Sequence, residues 1–121
     1  MKKEDILFHK GINAFNNRQF YDAHEYWEEL WLDYKLNDAD FIQGLIQLAV
    51  SYFHLFNQNL KGARSMIKKC LGKIEPFQAK RGIDVIELKS QIYNVQKYFN
   101  KIINTNDITD SYIISLKVIH E

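Results

Sequence analysis

The stretch from Phe41 to Leu60 contains no Asp, Glu, Lys or Arg, and it constrains the fold more than any other part of the sequence. At about 100° per residue along a helix, the polar side chains here fall on one narrow stripe, surrounded by aliphatic and aromatic residues. The stripe consists of Asp40, Gln43, Gln47, Ser51 and His54. The solvent-facing side of an ordinary surface helix is wide and rich in Lys and Glu. The stretch therefore predicts a helix inside a helical bundle, with a polar seam facing groups that need hydrogen bonds.

The bulk composition predicts a single domain spanning residues 1–121, with no nucleic-acid or membrane partner. The chain is 46% hydrophobic with a net charge of +1, and it has no run of four Lys or Arg that would suit a polyanion. Its first residues lack the apolar stretch of a signal peptide. The uncharged run is long enough to span a bilayer, but its Gln, Ser and His side chains argue against a membrane. The single cysteine, Cys70, fits a reducing compartment, so we expect a soluble cytoplasmic protein.

The spacing of apolar residues predicts an all-α fold, a compact bundle of about five helices. The predicted helices cover about residues 5–16, 19–34, 39–56, 60–74 and 84–103. The tail, residues 104–121, is predicted to be irregular, and its periodicity does not decide between a short helix and an extended segment. Side chains around Asp38, together with Asn59 and Asp84, are expected to cap the third, fourth and fifth helices. The core is predicted to contain the rings of Trp27, Trp31, Tyr52, Phe53 and Phe56.

The first two helical hairpins are similar in spacing to tetratricopeptide repeats. Shifted by forty positions, Ala23 aligns with Ala63 and Trp27 with Ile67. A small Ala lets two antiparallel helices approach closely, and large residues around it fix their crossing. Two such units are fewer than the three or so that a solenoid needs. The pattern therefore predicts two tetratricopeptide-like hairpins joined to a C-terminal helix in one compact bundle.

The second predicted helix places two groups capable of chemistry close to its apolar stripe. His24 and Glu28 are four residues apart, so they lie on neighbouring turns of one face and can touch. If this helix packs on the third, the pair could meet His54. Two imidazoles and a carboxylate suit a divalent metal ion with water in an open position. One hypothesis is therefore a metal site formed by His24, Glu28 and His54.

The same polar residues allow two other interpretations. In one, they form a hydrogen-bond network that fixes the register of the helices, a role that suits Gln43 and Gln47 because amides donate and accept without titrating. In the other, they line a pocket for a small polar ligand. Nucleophilic hydrolysis has little support, because Ser51 and His54 can touch but no Gly-rich oxyanion loop is nearby. Whether the protein is an enzyme stays open.

Two blocks of the sequence carry a family resemblance. The blocks are Phe20-Tyr21-Asp22-Ala23-His24-Glu25 with Glu28-Glu29-Leu30-Trp31, and Phe41-Ile42-Gln43-Gly44-Leu45-Ile46-Gln47-Leu48-Ala49 with His54, Asn59 and Gly62-Ala63-Arg64. In these blocks the chain resembles the bacterial family known as domain of unknown function 309. The resemblance covers about residues 11–71 and is specific, because several unusual polar residues recur in order.

The resemblance implies a small all-α domain from a family with no established activity. Its signature positions include Trp31, Gly44 and a polar cluster. The polar cluster comprises His24, Glu25, Glu28, Gln43, Gln47, His54 and Asn59. We expect either that this cluster binds a metal ion or small polar ligand, or that it is structural and the protein is a non-catalytic interaction module. The high aromatic content is compatible with a homodimer or another protein partner.

Overall fold

The amphipathic stretches form five α-helices, and the prediction of an all-α bundle is confirmed. The computed structural model describes residues 2–119. Its helices are α1 (Lys3–Asn16), α2 (Phe20–Asp33), α3 (Ala39–Phe56), α4 (Leu60–Ile74) and α5 (Val85–Lys101). The predicted bounds differ from these by two residues at most. Residues 120 and 121, the end of the predicted tail, lie outside the described residues.

Polar side chains begin two of the helices, as predicted. The side chain of Asn59 accepts a hydrogen bond from the amide of Gly62 at 2.9 Å, and that of Asp84 accepts one from the amide of Glu87 at 3.1 Å. Each bond satisfies an amide that the first helical turn leaves without a partner. The predicted cap of α3 is wrong, because the carboxylate of Asp38 makes no capping hydrogen bond.

A two-stranded hairpin between α4 and α5 was not predicted. Strands β1 (Ala79–Lys80) and β2 (Ile83–Asp84) pair antiparallel. The two residues between them, Arg81 and Gly82, both have positive φ, at 52° and 79°. Two-residue hairpin loops favour this conformation because its twist matches that of the strands, and glycine adopts it at little cost. The strands are two residues each, too short for an alternating pattern to reveal.

The hairpin turn explains why Asp38 does not cap α3. The carboxylate of Asp38 accepts two hydrogen bonds from the guanidinium of Arg81, at 2.6 and 3.0 Å. The guanidinium also lies 5.2 Å from the ring centroid of Phe8 in α1. A bidentate, charge-assisted pair is stronger than a single hydrogen bond to an amide. The pair therefore ties the hairpin to the connection between α2 and α3.

Consecutive helices pack on one another in chain order, from α1 on α2 to α4 on α5. Helices α1 and α2 approach closely at Gly11, where an added Cβ would lie 2.1 Å from Nε1 of Trp27. The indole N–H of Trp27 donates to the carbonyl of Phe8 at 3.1 Å. Ala23, one turn before Trp27, is fully buried. Small residues thus let the two helices approach, while the similarity to tetratricopeptide hairpins stays a prediction.

The tail follows α5 as two short 3₁₀ turns and an extended segment. The turns are Thr105–Asp107 and Asp110–Tyr112. The hydroxyl of Tyr52 donates to the carbonyl of Tyr112 at 2.7 Å and accepts from the amide of Ile114 at 3.1 Å. The side chain of Asn16 holds Leu116 in the same two-sided way, at 2.9 and 2.7 Å. Side chains of α1 and α3 therefore fix the path of the tail.

Of the five rings predicted for the core, two are exposed and a third, Phe53, is half-buried. Trp27 and Tyr52 are fully buried, but Trp31 is 37% exposed and Phe56 46% exposed. Both lie at the ends of their helices, where neighbouring helices cover less of the surface. Within residues 2–119, no helix is long and apolar enough to cross a membrane.

Candidate functional site

His24 and Glu28 contact each other on one face of α2, as their spacing predicts. Nε2 of His24 lies 2.8 Å from Oε2 of Glu28. Nδ1 of the same ring lies 3.1 Å from the carbonyl oxygen of Tyr21, one turn earlier. The two side chains are 23% and 47% exposed, so solvent reaches the pair.

These contacts occupy both ring nitrogens of His24. Carbonyl and carboxylate oxygens only accept, so each nitrogen must donate if both contacts are hydrogen bonds. A neutral imidazole carries one N–H, and only the protonated ring makes both bonds at once. In this arrangement His24 offers no lone pair to a metal ion.

His54, near the end of α3, belongs to a separate set of hydrogen bonds. The side-chain oxygen of Asn59 accepts from the amide of Gly62, so its NH₂ group faces Nδ1 of His54 at 3.3 Å. Nδ1 therefore accepts, and the proton of the neutral ring lies on Nε2. The arrangement requires glycine at position 62, because a Cβ there would lie 2.9 Å from Cγ of His54. The cap of α4 and the orientation of His54 are thus one unit.

Other members of the polar stripe face α4. The hydroxyl of Ser51 is buried and donates to the carbonyl of Ala63 at 2.8 Å. Oδ1 of Asp40 lies 3.7 Å from Nζ of Lys73. The proton of Ser51 is therefore directed to the α4 backbone and not to His54. A Ser-His pair of the kind used in nucleophilic hydrolysis is not assembled here.

The remaining members of the polar cluster have different surroundings. Glu25 is exposed and interacts with the hydroxyl of Tyr21 on its own helix. Gln43 is half-buried. Oε1 of Gln47 is buried, and within residues 2–119 it is the one such side-chain N or O atom without a hydrogen-bond partner. An unpaired buried acceptor costs about 1–3 kcal/mol in the free energy of folding, so the side chain of Gln47 lowers stability unless a donor reaches it.

The three predicted metal ligands are divided between the two sets of hydrogen bonds. His24 contacts Glu28, while His54 contacts Asn59. In the described part of the chain, no group of three or more His, Cys, Asp and Glu side chains could hold a metal ion. The chemistry that this arrangement supports is hydrogen bonding and charge pairing between neighbouring turns.

Two adjoining pockets lie between α2 and α3. The smaller has a volume of about 150 Å³ and is lined by Tyr21, His24, Val50, Phe53 and His54. The larger has a volume of about 300 Å³ and is lined by Arg18, Gln19, Phe20, Tyr21, Asp22, Phe53 and Phe56. Tyr21 and Phe53 line both, and their ring centroids are 5.4 Å apart, so they form the ridge between the pockets. We call the two pockets and their ridge the aromatic groove.

Both imidazoles of the polar cluster line the groove, but the aromatic side chains that shape it were not predicted as site residues. Tyr21 is 51% exposed and Phe56 46% exposed. The apolar pattern of α3 predicts Phe53 and Phe56 as core residues. Tyr21 offered a usable signal, because it lies off the apolar stripe of α2 and yet is a large ring. Exposed aromatic residues near a helix end would have indicated this surface.

The charge of the groove comes from α2. Phe20–Asp33 contains five carboxylates and no Lys or Arg. The hydrogen bond and negative charge of Glu25 raise the pKa of the Tyr21 phenol above its ordinary value. Arg18, at one end of the groove, is paired with Asp110 of the tail at 3.0 Å. The α2 wall is therefore acidic, whereas α3 is uncharged from Phe41 onward.

Comparison with known proteins places these features in a shared segment. Residues 8–66 match the model of a family described as Domain of unknown function (DUF309). The matched segment contains the whole polar cluster and every residue that lines the aromatic groove. No curated protein matches the chain.

Proposed function

The chain belongs to the DUF309 family, and from that premise we propose that it is a non-catalytic protein-interaction module. In this proposal the aromatic groove receives a segment of a partner protein, and the polar cluster orients side chains within each wall. The observation that carries the proposal is the pair of adjoining pockets around Tyr21 and Phe53.

The size and lining of the pockets favour a docking surface over a substrate site. Pockets for small molecules usually have volumes of about 300–1,000 Å³ and enclose most of the ligand, and the larger pocket, at about 300 Å³, reaches only the lower end of that range. The smaller pocket, at about 150 Å³, matches a cavity that holds one benzene ring, which is the size of a single apolar side chain. Large rings such as Tyr21 and Phe56 are typical of interfaces, where they anchor a partner.

The pairing of the polar cluster supports a structural role for it. His24 is bonded to Glu28 within α2, and His54 to Asn59 across the turn from α3 to α4. A general base must reach a proton of its substrate, and a nucleophile must be left free to react. Here the nitrogens of His24 and the hydroxyl of Ser51 are directed to groups of the protein itself.

Gln47 favours a second candidate, a site for a small hydrogen-bond donor. Its buried Oε1 lacks a partner, and a ligand N–H or O–H would supply one. The substitution Gln47→Met tests this by thermal unfolding. If no donor reaches Oε1, removing the unpaired amide raises the free energy of unfolding by about 1 kcal/mol. A lower melting temperature would indicate a bound donor, whose identity mass spectrometry of the native protein would then address.

The interaction module is tested by selection from a displayed library of random short peptides. Selected clones are measured against the wild type, a groove variant and a surface control. The groove variant is Tyr21→Ser/Phe56→Ser, and the control is Ile86→Ser/Tyr93→Ser, which removes rings and apolar surface of similar exposure from α5. We expect clones that bind the wild type and the control equally but bind the groove variant about tenfold more weakly or worse.

Two results would overturn the proposal. One is a selection that yields no peptide binding the wild type above background. The other is a set of peptides that bind the groove variant as tightly as the wild type, because their site would then lie elsewhere. Circular dichroism of both double variants verifies that each is folded at the assay temperature.

A further inference from the structure

We infer that the partner segment is positively charged and carries two apolar side chains, one for each pocket of the aromatic groove. The inference rests on the interaction module proposed above and adds the chemistry of its partner. It follows from three observations: the α2 wall carries carboxylates, the nearest cations contact other groups, and the groove has two pockets.

The two walls differ sharply in charge. Of the α2 carboxylates, that of Asp22 lines the groove, and that of Glu25 interacts with the hydroxyl of the ridge residue Tyr21. The α3 wall has no charged residue from Phe41 to its end. Neither α2 nor α3 contains a Lys or Arg that would offset these carboxylates. Carboxylates in a cleft beside an uncharged apolar wall attract a partner of the opposite sign.

Two cations near α2 are directed elsewhere. Arg18 lines the end of the larger pocket, but its guanidinium is paired with Asp110 of the tail. Nζ of Lys10 lies 5.8 Å from the ring centroid of Tyr26 and belongs to α1, on the other side of α2. The carboxylates of Asp22 and Glu25, which flank the ridge residue Tyr21 in sequence, therefore remain available to a basic partner.

A second copy of the chain offers the right charge but the wrong shape. Helix α4 contains five Lys and Arg and no Asp or Glu, so it complements α2 electrostatically. Its exposed residues are polar or small, Leu60 and Met66 are half-buried, and Ile67, Leu71 and Ile74 are buried. That surface presents no fully exposed large apolar side chain to fill the pockets. The occupant that the groove fits best is a separate protein segment that combines positive charge with apolar anchors, and a second copy is an outcome that the test below distinguishes.

The test uses the tightest groove-dependent peptide from the random library, synthesised with a fluorescein label and titrated by fluorescence anisotropy. The charge variant is Asp22→Asn/Glu25→Gln. The matched control, Glu87→Gln/Asp107→Asn, changes the net charge by the same amount at exposed sites away from the groove. We expect the groove-dependent clones to be rich in Lys and Arg. We expect the charge variant to bind about three- to tenfold more weakly, while the control binds as the wild type does.

Salt and self-association complete the test. Raising NaCl from about 0.05 to 0.5 M should weaken binding of the labelled peptide several-fold, because salt screens exposed charges. Groove-dependent peptides that are neutral or acidic, or a charge variant that binds like the control, would overturn the inference while leaving the interaction module intact. Failure to obtain any groove-dependent peptide would overturn the module itself. A dimer that appears in sedimentation and is lost in the groove variant would replace the separate partner with a second copy.

Discussion

At the scale of single residues, Gly11 sets how closely α1 and α2 pack. A Cβ at this position would lie 2.1 Å from Nε1 of Trp27, whose indole is fully buried and bonded to Phe8. Gly72 in α4 is the control position, because nothing lies within 4 Å of a Cβ added there. We expect Gly11→Ala to lower the free energy of unfolding by about 2–3 kcal/mol, since the indole has no space to yield.

The same substitution at Gly72 should raise the free energy of unfolding by about 0.5–1 kcal/mol, because alanine has the higher helix propensity. Urea denaturation followed by circular dichroism measures both variants. Equal effects of the two substitutions would mean that the indole of Trp27 does not rest against Gly11 as described.

Residues whose partners lie on their own helix were open to prediction from the sequence. His24 meets Glu28 because a spacing of four residues places both on one face, whatever the rest of the fold does. The contact of His54 with Asn59 needs the turn between α3 and α4. The sequence predicts that Asn59 caps α4, but not that its NH₂ group faces His54. The sequence gives no sign that the side-chain oxygen of Gln47 is unpaired, because pairing depends on how the helices pack.

At the scale of the elements, the five helices were predictable and the hairpin was not. Each helix repeats its apolar spacing over at least three turns, which averages out local exceptions. The hairpin has two residues in each strand, and its only sequence cue was Gly82. The path of the tail is set by Asn16 and Tyr52, which are about 100 and 60 residues away in sequence, so no local pattern could reveal it.

The pair of Asp38 and Arg81 joins two of these elements and makes the fold sensitive to acid. Burial opposes ionisation of Asp38, but the hydrogen bonds and charge of Arg81 outweigh it and lower the pKa of this carboxyl. A lowered pKa stabilises the folded state above the unfolded value of about 3.9, and that stabilisation is lost as the pH falls through the folded value. We expect Asp38→Asn to cost about 2 kcal/mol at pH 7, and the cost to shrink progressively below about pH 4.

Thermal unfolding of the wild type and Asp38→Asn across pH 2–7 measures this difference. Asp40→Asn is the control, because Asp40 is 68% exposed and lies 3.7 Å from Lys73. Exposed pairs of this kind contribute less than about 0.5 kcal/mol. A cost for Asp38→Asn that stayed constant down to pH 2 would show that the charge of Asp38 does not hold the hairpin.

At the scale of the whole molecule, the reactivity of the buried thiol of Cys70 can report on the opening of the core. This residue is the single cysteine of the chain, it is 1% exposed, and it lies in the buried cluster to which all five helices contribute. Burial raises the pKa of its thiol to about 12. The thiolate is the reactive form, so both exclusion of reagent and suppression of ionisation protect Cys70 in the folded protein.

Because these helices share one core, we expect Cys70 to react only when the whole bundle opens. At pH 8 and limiting iodoacetamide, its alkylation rate divided by that of an unfolded peptide gives a free energy of opening. That value should equal the free energy of unfolding from urea denaturation within about 1 kcal/mol, and should fall with urea at the same slope. In a Cys70→Ala background, Ser65→Cys places a thiol on the exposed face of α4 and should react at nearly the rate of the free peptide. A much smaller free energy for Cys70, independent of urea, would mean that α4 opens locally and that the bundle does not unfold as one unit.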